Sequence, residues 1–247
     1  MLRVRQLQHR YPNGKLALAD FDLTVRAGEL VIVLGGNGSG KTTLLRCIAR
    51  TLEPSAGEVW VNATNLARLK GERLRRARLE LAMISQHGSL VRRRSVLANV
   101  ATGALGHHYT LLTAFGGLPR SELDAAYGYL AEVGLAELAD QRAGTLSGGQ
   151  AQRVAIARAL AQRPRVLLAD EPVASLDPEA TKDIMRLLRR LAAEESLAVL
   201  CVLHQVELAR DYADRVVGIR AGRMAFDLPR AELSRETVQR LYVGEAA

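Results

Sequence analysis

The stretch GGNGSGKTT, residues 35–43, decides the fold of this 247-residue chain. It matches the pattern G-x-x-x-x-G-K-[ST], follows the apolar run Leu30–Leu34, and opens a segment of helical character over residues 41–50. Strand, glycine loop and helix together are the setting in which this pattern has a mechanism. Glycines let backbone N–H groups converge on phosphate oxygens, and the helix N-terminus adds a favourable potential. Lys41 is then placed to reach the β- and γ-phosphates of a nucleotide, and the Thr42 hydroxyl to ligate Mg²⁺. A glycine turn that only caps a helix is the competing reading.

Outward from the loop, the pattern alternates. Leu2, Val4 and Leu7 suggest one strand, and Phe21, Leu23 and Val25 alternate with Asp22 and Thr24 in another. The turn EPSAGE (53–58) precedes a strand at 59–61, and residues 79–85 read as a further strand. From 87 to 149 the chain reads mainly as helix, broken at Gly103, Gly106, Gly116, Gly117 and Gly134. Alternation then resumes: helix 151–162, strand 165–169, helix 178–194, strand 198–203, a hairpin around 220–223 and a final helical stretch. Strands alternating with helices imply a mostly parallel sheet covered on both faces. The expected fold is therefore α/β: a P-loop NTPase core with a mostly parallel sheet, an N-terminal antiparallel β portion and an inserted helical subdomain. Residues 1–86 and 150–247 form the core, and 87–149 the insert.

Two further stretches carry chemistry. RVLLADEP (165–172) is an apolar strand ending in two carboxylates. Asp170 can hold Mg²⁺ through water, and Glu171 can orient and deprotonate an attacking water. Alone this is weak, since strands often end in acidic residues; downstream of a phosphate loop it gains force. LSGGQ (146–150) begins a helix. Ser147 can cap it, while Gly148 and Gly149 let backbone amides approach an anion.

In this order and spacing, the phosphate loop, LSGGQ and LLADEP resemble the ATP-binding subunits of ABC transporters, and the similarity covers almost the whole chain. The resemblance implies ATP and Mg²⁺ as cofactors, held by Gly35, Gly36, Asn37, Gly38, Ser39, Gly40, Lys41, Thr42 and Thr43. Tyr11 falls where the family stacks an aromatic on adenine, with a surface-strand tyrosine as the alternative. Gln86 matches the glutamine that senses nucleotide and metal. Ser175-Leu176-Asp177 matches a loop touching the opposite subunit, with Asp177 near its nucleotide. His204, directly after a strand, matches a switch histidine at the γ-phosphate. Ser147, Gly148, Gly149 and Gln150 would grip the nucleotide bound by a second copy. A homodimer is thus implied, working with separate transmembrane permease subunits and, indirectly, a periplasmic solute-binding protein. Its place would be the cytoplasmic face of the inner membrane.

Within that family the chain is most similar to the ATP-binding subunits of bacterial phosphonate importers. Residues 141–164 (QRAGTLSGGQAQRVAIARALAQRP), 167–178 (LLADEPVASLDP) and 203–223 (LHQVELARDYADRVVGIRAGR) carry this, together with SVLANV (95–100) and the insert at 111–127. Departures are concentrated in the middle. Ser85 precedes Gln86 where a phenylalanine is usual, and His87, Gly88 and Ser89 follow where bulky residues are. Arg94 replaces an apolar residue, Asn62-Ala63 a common Asp-Gly turn, and Gly36 a larger residue. The alternatives are an importer subunit for another small solute, an export or lipid-extraction motor, a DNA- or ribosome-associated ATPase, and a simple phosphoryl-transfer kinase. The last leaves LSGGQ and the Glu171–His204 pair unexplained.

Composition bounds these readings. With 48% apolar and 24% charged residues, the chain can bury a full core. The net charge of +8 comes from arginine, densest at Arg73, Arg75, Arg76, Arg78 and at Arg92, Arg93, Arg94. Nucleic acid, an anionic membrane or a plain solvated face would each suit such clusters. Aromatics at 4% are not interleaved with them, which argues against base stacking and against nucleic acid as partner. Cys47 and Cys201, flanked by apolar residues, suggest buried thiols in a reducing compartment. The N-terminus lacks the apolar centre of a secretory signal, and the longest apolar run is far short of the ~18–20 residues a membrane span needs. His9, His87, His107 and His108 show no cysteine or carboxylate at ligand spacing and read as surface or loop residues.

Overall fold

In the computed structural model, which describes residues 1–85, 89–108 and 117–242, the strands form two sheets. The first is antiparallel: β1 (Leu2–Arg10), β2 (Leu16–Val25), β4 (Ala56–Val61) and β5 (Thr64–Asn65), in the order β2-β1-β4-β5. The second holds β3 (Leu30–Leu34), β6 (Leu81–Ile84), β7 (Val166–Asp170), β8 (Ala198–Val202), β9 (Arg215–Arg220) and β10 (Arg223–Pro229). Its order is β10-β9-β3-β8-β7-β6, parallel except for the β9–β10 hairpin. An α/β core with an antiparallel N-terminal portion is what the strand–helix alternation implies.

The parallel strands are apolar throughout because both of their faces are covered. On β3, Leu30, Ile32 and Leu34 pack into one core with the helices, while Val31 and Val33 point to the other face. That second face packs on the antiparallel sheet and on α1 (Lys41–Ile48) through Leu44, Leu45 and Ile48. The first face is covered by α5 (Gly148–Ala161), α6 (Pro178–Glu194) and α7 (Val206–Tyr212). The same apolar cluster continues into α3 (Val96–Ala101) and α4 (Arg120–Glu132) through Val96, Val100, Ala126 and Leu130.

Several expectations shift. β1 runs on to Arg10 and β2 begins at Leu16, because bulges interrupt the strict alternation between Val4 and His9. α1 stops at Ile48 rather than residue 50. Arg50 takes a positive φ of 56°, and its buried guanidinium donates to the carbonyls of Leu66 and Leu69. Residues 133–147, expected as helix, are short 3₁₀ turns after Gly134 ends α4 at φ 72°. The final helix is α8 (Arg235–Tyr242), and α2 (Gly71–Ala77) carries the first arginine cluster. That cluster is largely consumed within the fold: Arg75 and Arg76 pair with Glu72, and Arg78 donates to the carbonyls of Ala49 and Arg50. Arg92, Arg93 and Arg94 are exposed.

Two of the histidines, His9 and His108, depart from the surface-and-loop expectation, while His107 is exposed as expected. His9 is buried in β1, 6% exposed, because a bulged register turns it inward with Leu7. His108 does have a carboxylate, Glu122, 2.7 Å away across the helical block; Arg163 shares it at 2.8 Å, making an ion-paired cluster rather than a metal site. His107 is tied to the Gln162 carbonyl, and His87 lies outside the described residues. Cys47 and Cys201 are buried and free, and burial pushes the Cys47 thiol up to about 12. Among the described residues no helix is long and apolar enough to cross a membrane.

Candidate active site

Three adjacent parallel strands deliver the chemistry. Val33 of β3 pairs with Val202 of β8, which pairs with Asp170 of β7, so all three strands end at one level. Leu203 N donates to the Val33 carbonyl and Glu171 N to the Val202 carbonyl, locking the loops where they leave the sheet. Ligand sites of open α/β sheets lie beyond such carboxyl ends.

From β3 the chain enters the glycine loop. Gly40, the N-cap of α1, has φ 112°, and a Cβ there would stand 2.6 Å from the Ala17 carbonyl oxygen, so only glycine fits. The buried Lys41 ammonium donates to the carbonyls of Gly35 (2.7 Å) and Gly36 (2.8 Å), which wraps the loop around it. Asn37, Gly38, Ser39, Gly40, Lys41, Thr42 and Thr43 line a cavity of about 260 Å³ with Tyr11, Lys15, Ala17, Glu171 and His204. Gly35 and Gly36 are not among its lining residues and meet the site through their carbonyl bonds to Lys41.

On the far wall, Thr42 Oγ1 donates to Asp170 Oδ1 at 3.4 Å. Burial and then the neighbouring Glu171 charge push the Asp170 carboxyl above its usual range, against the pull of Thr42, Arg46 and Lys41. A hydroxyl and a carboxylate oxygen, with the carboxylate's charge poorly compensated, suit a hard divalent cation. Glu171 sits at φ 52°, a strained conformation for a non-glycine residue, which swings its side chain out of the strand. Its Oε1 accepts from His204 Nε2–H at 2.5 Å. Tyr11 caps the other end of the cavity. Its hydroxyl is 3.0 Å from Thr43 Oγ1, and its turn is closed by Tyr11 N to the Lys15 carbonyl.

The sequence-derived residues thus fall into two groups. Tyr11, residues 37–43, Glu171 and His204 share the cavity, with Asp170 joined through Thr42. Ser147, Gly148, Gly149, Gln150 and Asp177 do not line it. Ser147 caps α5 in a capping box: its Oγ accepts from Gln150 N, and its N–H donates to Gln150 Oε1. Asp177 Oδ1 caps α6 by accepting from Ala180 N, a structural task beside any contact made across an interface. Gly148 and Gly149 face Leu176 and Ala180 closely, so the start of α5 sits against the start of α6. Gln86 lies outside the described residues. Lys15 and Ala17 line the cavity unforeseen; the YPNGK turn after Tyr11 was the available signal for Lys15.

A family profile described as ABC transporter matches residues 18–174, more than half of the chain. The chain belongs to the ABC transporter family and is one of its ATP-hydrolysing cassettes. Among its relatives is the phosphonates import ATP-binding protein PhnC of Wolinella succinogenes, 45% identical over 98% of this chain and 88% of that protein. The phosphite import ATP-binding protein PxtA of Stutzerimonas stutzeri is 46% identical over all of this chain and 88% of that protein. Among solved structures, the dimeric post-hydrolysis state of the ATP-binding cassette MJ0796 bound to ADP and Pi superposes with a TM-score of 0.81 at 29% identity. It covers 93% of this chain and 99% of that one.

Proposed function

We propose that this chain energises import of phosphonates or a related small phosphorus oxyanion. It acts as a homodimer on transmembrane permease subunits at the cytoplasmic face of the inner membrane, with a periplasmic solute-binding protein delivering the solute. The observation that carries the solute reading is the likeness, across nearly the full chain, to subunits named for phosphonate and phosphite import. The relation to phosphite import favours phosphorus oxyanions as a class over phosphonates alone.

Within one subunit, Tyr11 stacks on adenine and the amides of the glycine loop and α1 hold the phosphates, with Lys41 between the β- and γ-groups. Thr42 and Asp170 would hold Mg²⁺, with Gln86 as a further ligand. When bound, the ion neutralises charge on the phosphate oxygens. Glu171 orients the attacking water and takes its proton, and His204, which donates to Glu171, sits beside the γ-phosphate as the switch. Ser147 and the amides of Gly148 and Gly149 belong to the second copy's nucleotide, which is why they lie away from this cavity. ATP binding closes the pair and hydrolysis releases it, a population shift that moves the permease between its two faces.

The test is reconstitution with a cognate permease and solute-binding protein in lipid vesicles. ATPase activity stimulated by a binding protein loaded with phosphonate or phosphite is the expected result. Stimulation only by an unrelated solute, such as an amino acid, would remove the solute reading and leave the ATPase.

A further inference from the structure

We infer that His9 is a positioning residue that holds Tyr11 in register with the phosphate loop; this rests on the reading of Tyr11 as the base platform. His9 is two residues from Tyr11 and packs against it edge to face, with ring centroids 4.7 Å apart and planes at 87°. Its Nδ1 lies 3.0 Å from the Glu53 carbonyl oxygen. A carbonyl only accepts, so Nδ1 carries a proton, and the ring's other nitrogen is Nε2. That atom is buried and has no hydrogen-bond partner among the described residues.

A buried polar atom without a partner weakens a fold, so its presence calls for a reason. A phenylalanine would fill the same space without the orphan, but no bond would tie its ring plane to the Glu53 carbonyl. The bond to Glu53 fixes the imidazole plane instead. Around it, Ser55 N donates to the Gln8 carbonyl and Arg10 N to Ser55 Oγ, seating the end of β1 on the loop after α1. Tyr11 is thereby tied at both ends: its ring to His9, its hydroxyl to Thr43 of the phosphate loop. The platform for the base and the cradle for the phosphates become one rigid part.

The test compares two ligands on the purified full chain, Mg-ATP and inorganic tripolyphosphate, which has no base. His9→Gln keeps an N–H for Glu53 but removes the ring. It should weaken ATP binding roughly three- to tenfold, the range of an aromatic pair, while leaving tripolyphosphate binding unchanged. His9→Phe, which restores a ring but not the bond to Glu53, should recover only part of that loss. In a Tyr11→Ala background, His9→Gln should add nothing further, because both act through one platform. Equal weakening of both ligands would make His9 merely structural and overturn the inference, as would unchanged ATP affinity in His9→Gln beside a loss in Tyr11→Ala. If Tyr11→Ala itself leaves ATP affinity unchanged, the base-platform reading falls first and this one with it.

Discussion

Replacing Glu171 with glutamine separates binding from chemistry. The amide would keep an Oε1 to accept from His204 Nε2–H, now 2.5 Å from Glu171, so the loop geometry should persist. Glu171 is about one-fifth exposed, 22% by side chain, so the exchange buries no unpaired charge and stability should change by no more than about 0.5 kcal/mol. The proton acceptor is lost, because an amide cannot take the water's proton. General-base catalysis is worth about 10²–10⁴ in rate, and at about 1.36 kcal/mol per decade that is roughly 3–5 kcal/mol of barrier. Phosphate release should therefore fall by that factor, while ATP affinity, set by residues 37–43 and Tyr11, stays put. Steady-state phosphate release and titration with a fluorescent ATP analogue measure the two independently. Hydrolysis near the wild-type rate would place the base elsewhere. A matching loss of ATP affinity would make Glu171 a nucleotide-holding group instead.

The same geometry sets other expected outcomes. In a mixed dimer, Lys41→Ala in one subunit and Ser147→Arg in the other confine both lesions to one nucleotide site, so ATPase activity should reappear on mixing two inactive homodimers; its absence where heterodimers demonstrably form counts against a shared site. Gly40→Ala forces a side chain into φ 112° and against the Ala17 carbonyl, which should cost about 1–3 kcal/mol and roughly 2–4 °C of Tm per kcal/mol, read by thermal melting. Glu122 is buried, which opposes its charge, yet hydrogen bonds from His108 and Arg163 outweigh that and hold its carboxyl below the usual range. Its contribution is therefore present above the unfolded carboxyl pKa of about 4.3 and lost as pH falls through the lower folded value. Glu122→Gln should cost about 1–3 kcal/mol at neutral pH, a gap in urea unfolding that narrows in acid.

The phosphate loop, the two carboxylates and His204 could be read directly because their chemistry demands particular residues at fixed steps from a strand end. Gly40 must be glycine, Lys41 must follow it, and Asp170 must end an apolar run; tertiary context only confirms the step. The ion cluster of Glu122, His108 and Arg163 has no such local rule, since Arg163 arrives from beyond α5, and no pair of sequence positions announces it. His9 escapes a surface reading because β1 is bulged: alternation from Leu2 and Val4 would turn residue 9 outward, and the register shift between Val4 and Leu7 changes the phase so that Leu7 and His9 face inward. The helical block was legible as a change of period, not in its detail. Gly134 ends α4, and the segment beyond it is held by backbone bonds to residues 92–97 that no periodicity announces.

The capping box at the start of α5 has one more consequence, a matter of direction. A hydroxyl has two lone pairs and a single proton. Ser147 Oγ accepts Gln150 N–H inward, along the helix it caps, which leaves its own O–H uncommitted to that bond. The Gly148 and Gly149 amides, first in the helix, are also donors without intrahelical acceptors. The tip of α5 thus presents backbone N–H donors with the positive end of the helix dipole behind them. Such a tip favours an anion over a cation. A nucleotide meeting this tip, as proposed above, would meet it phosphates first.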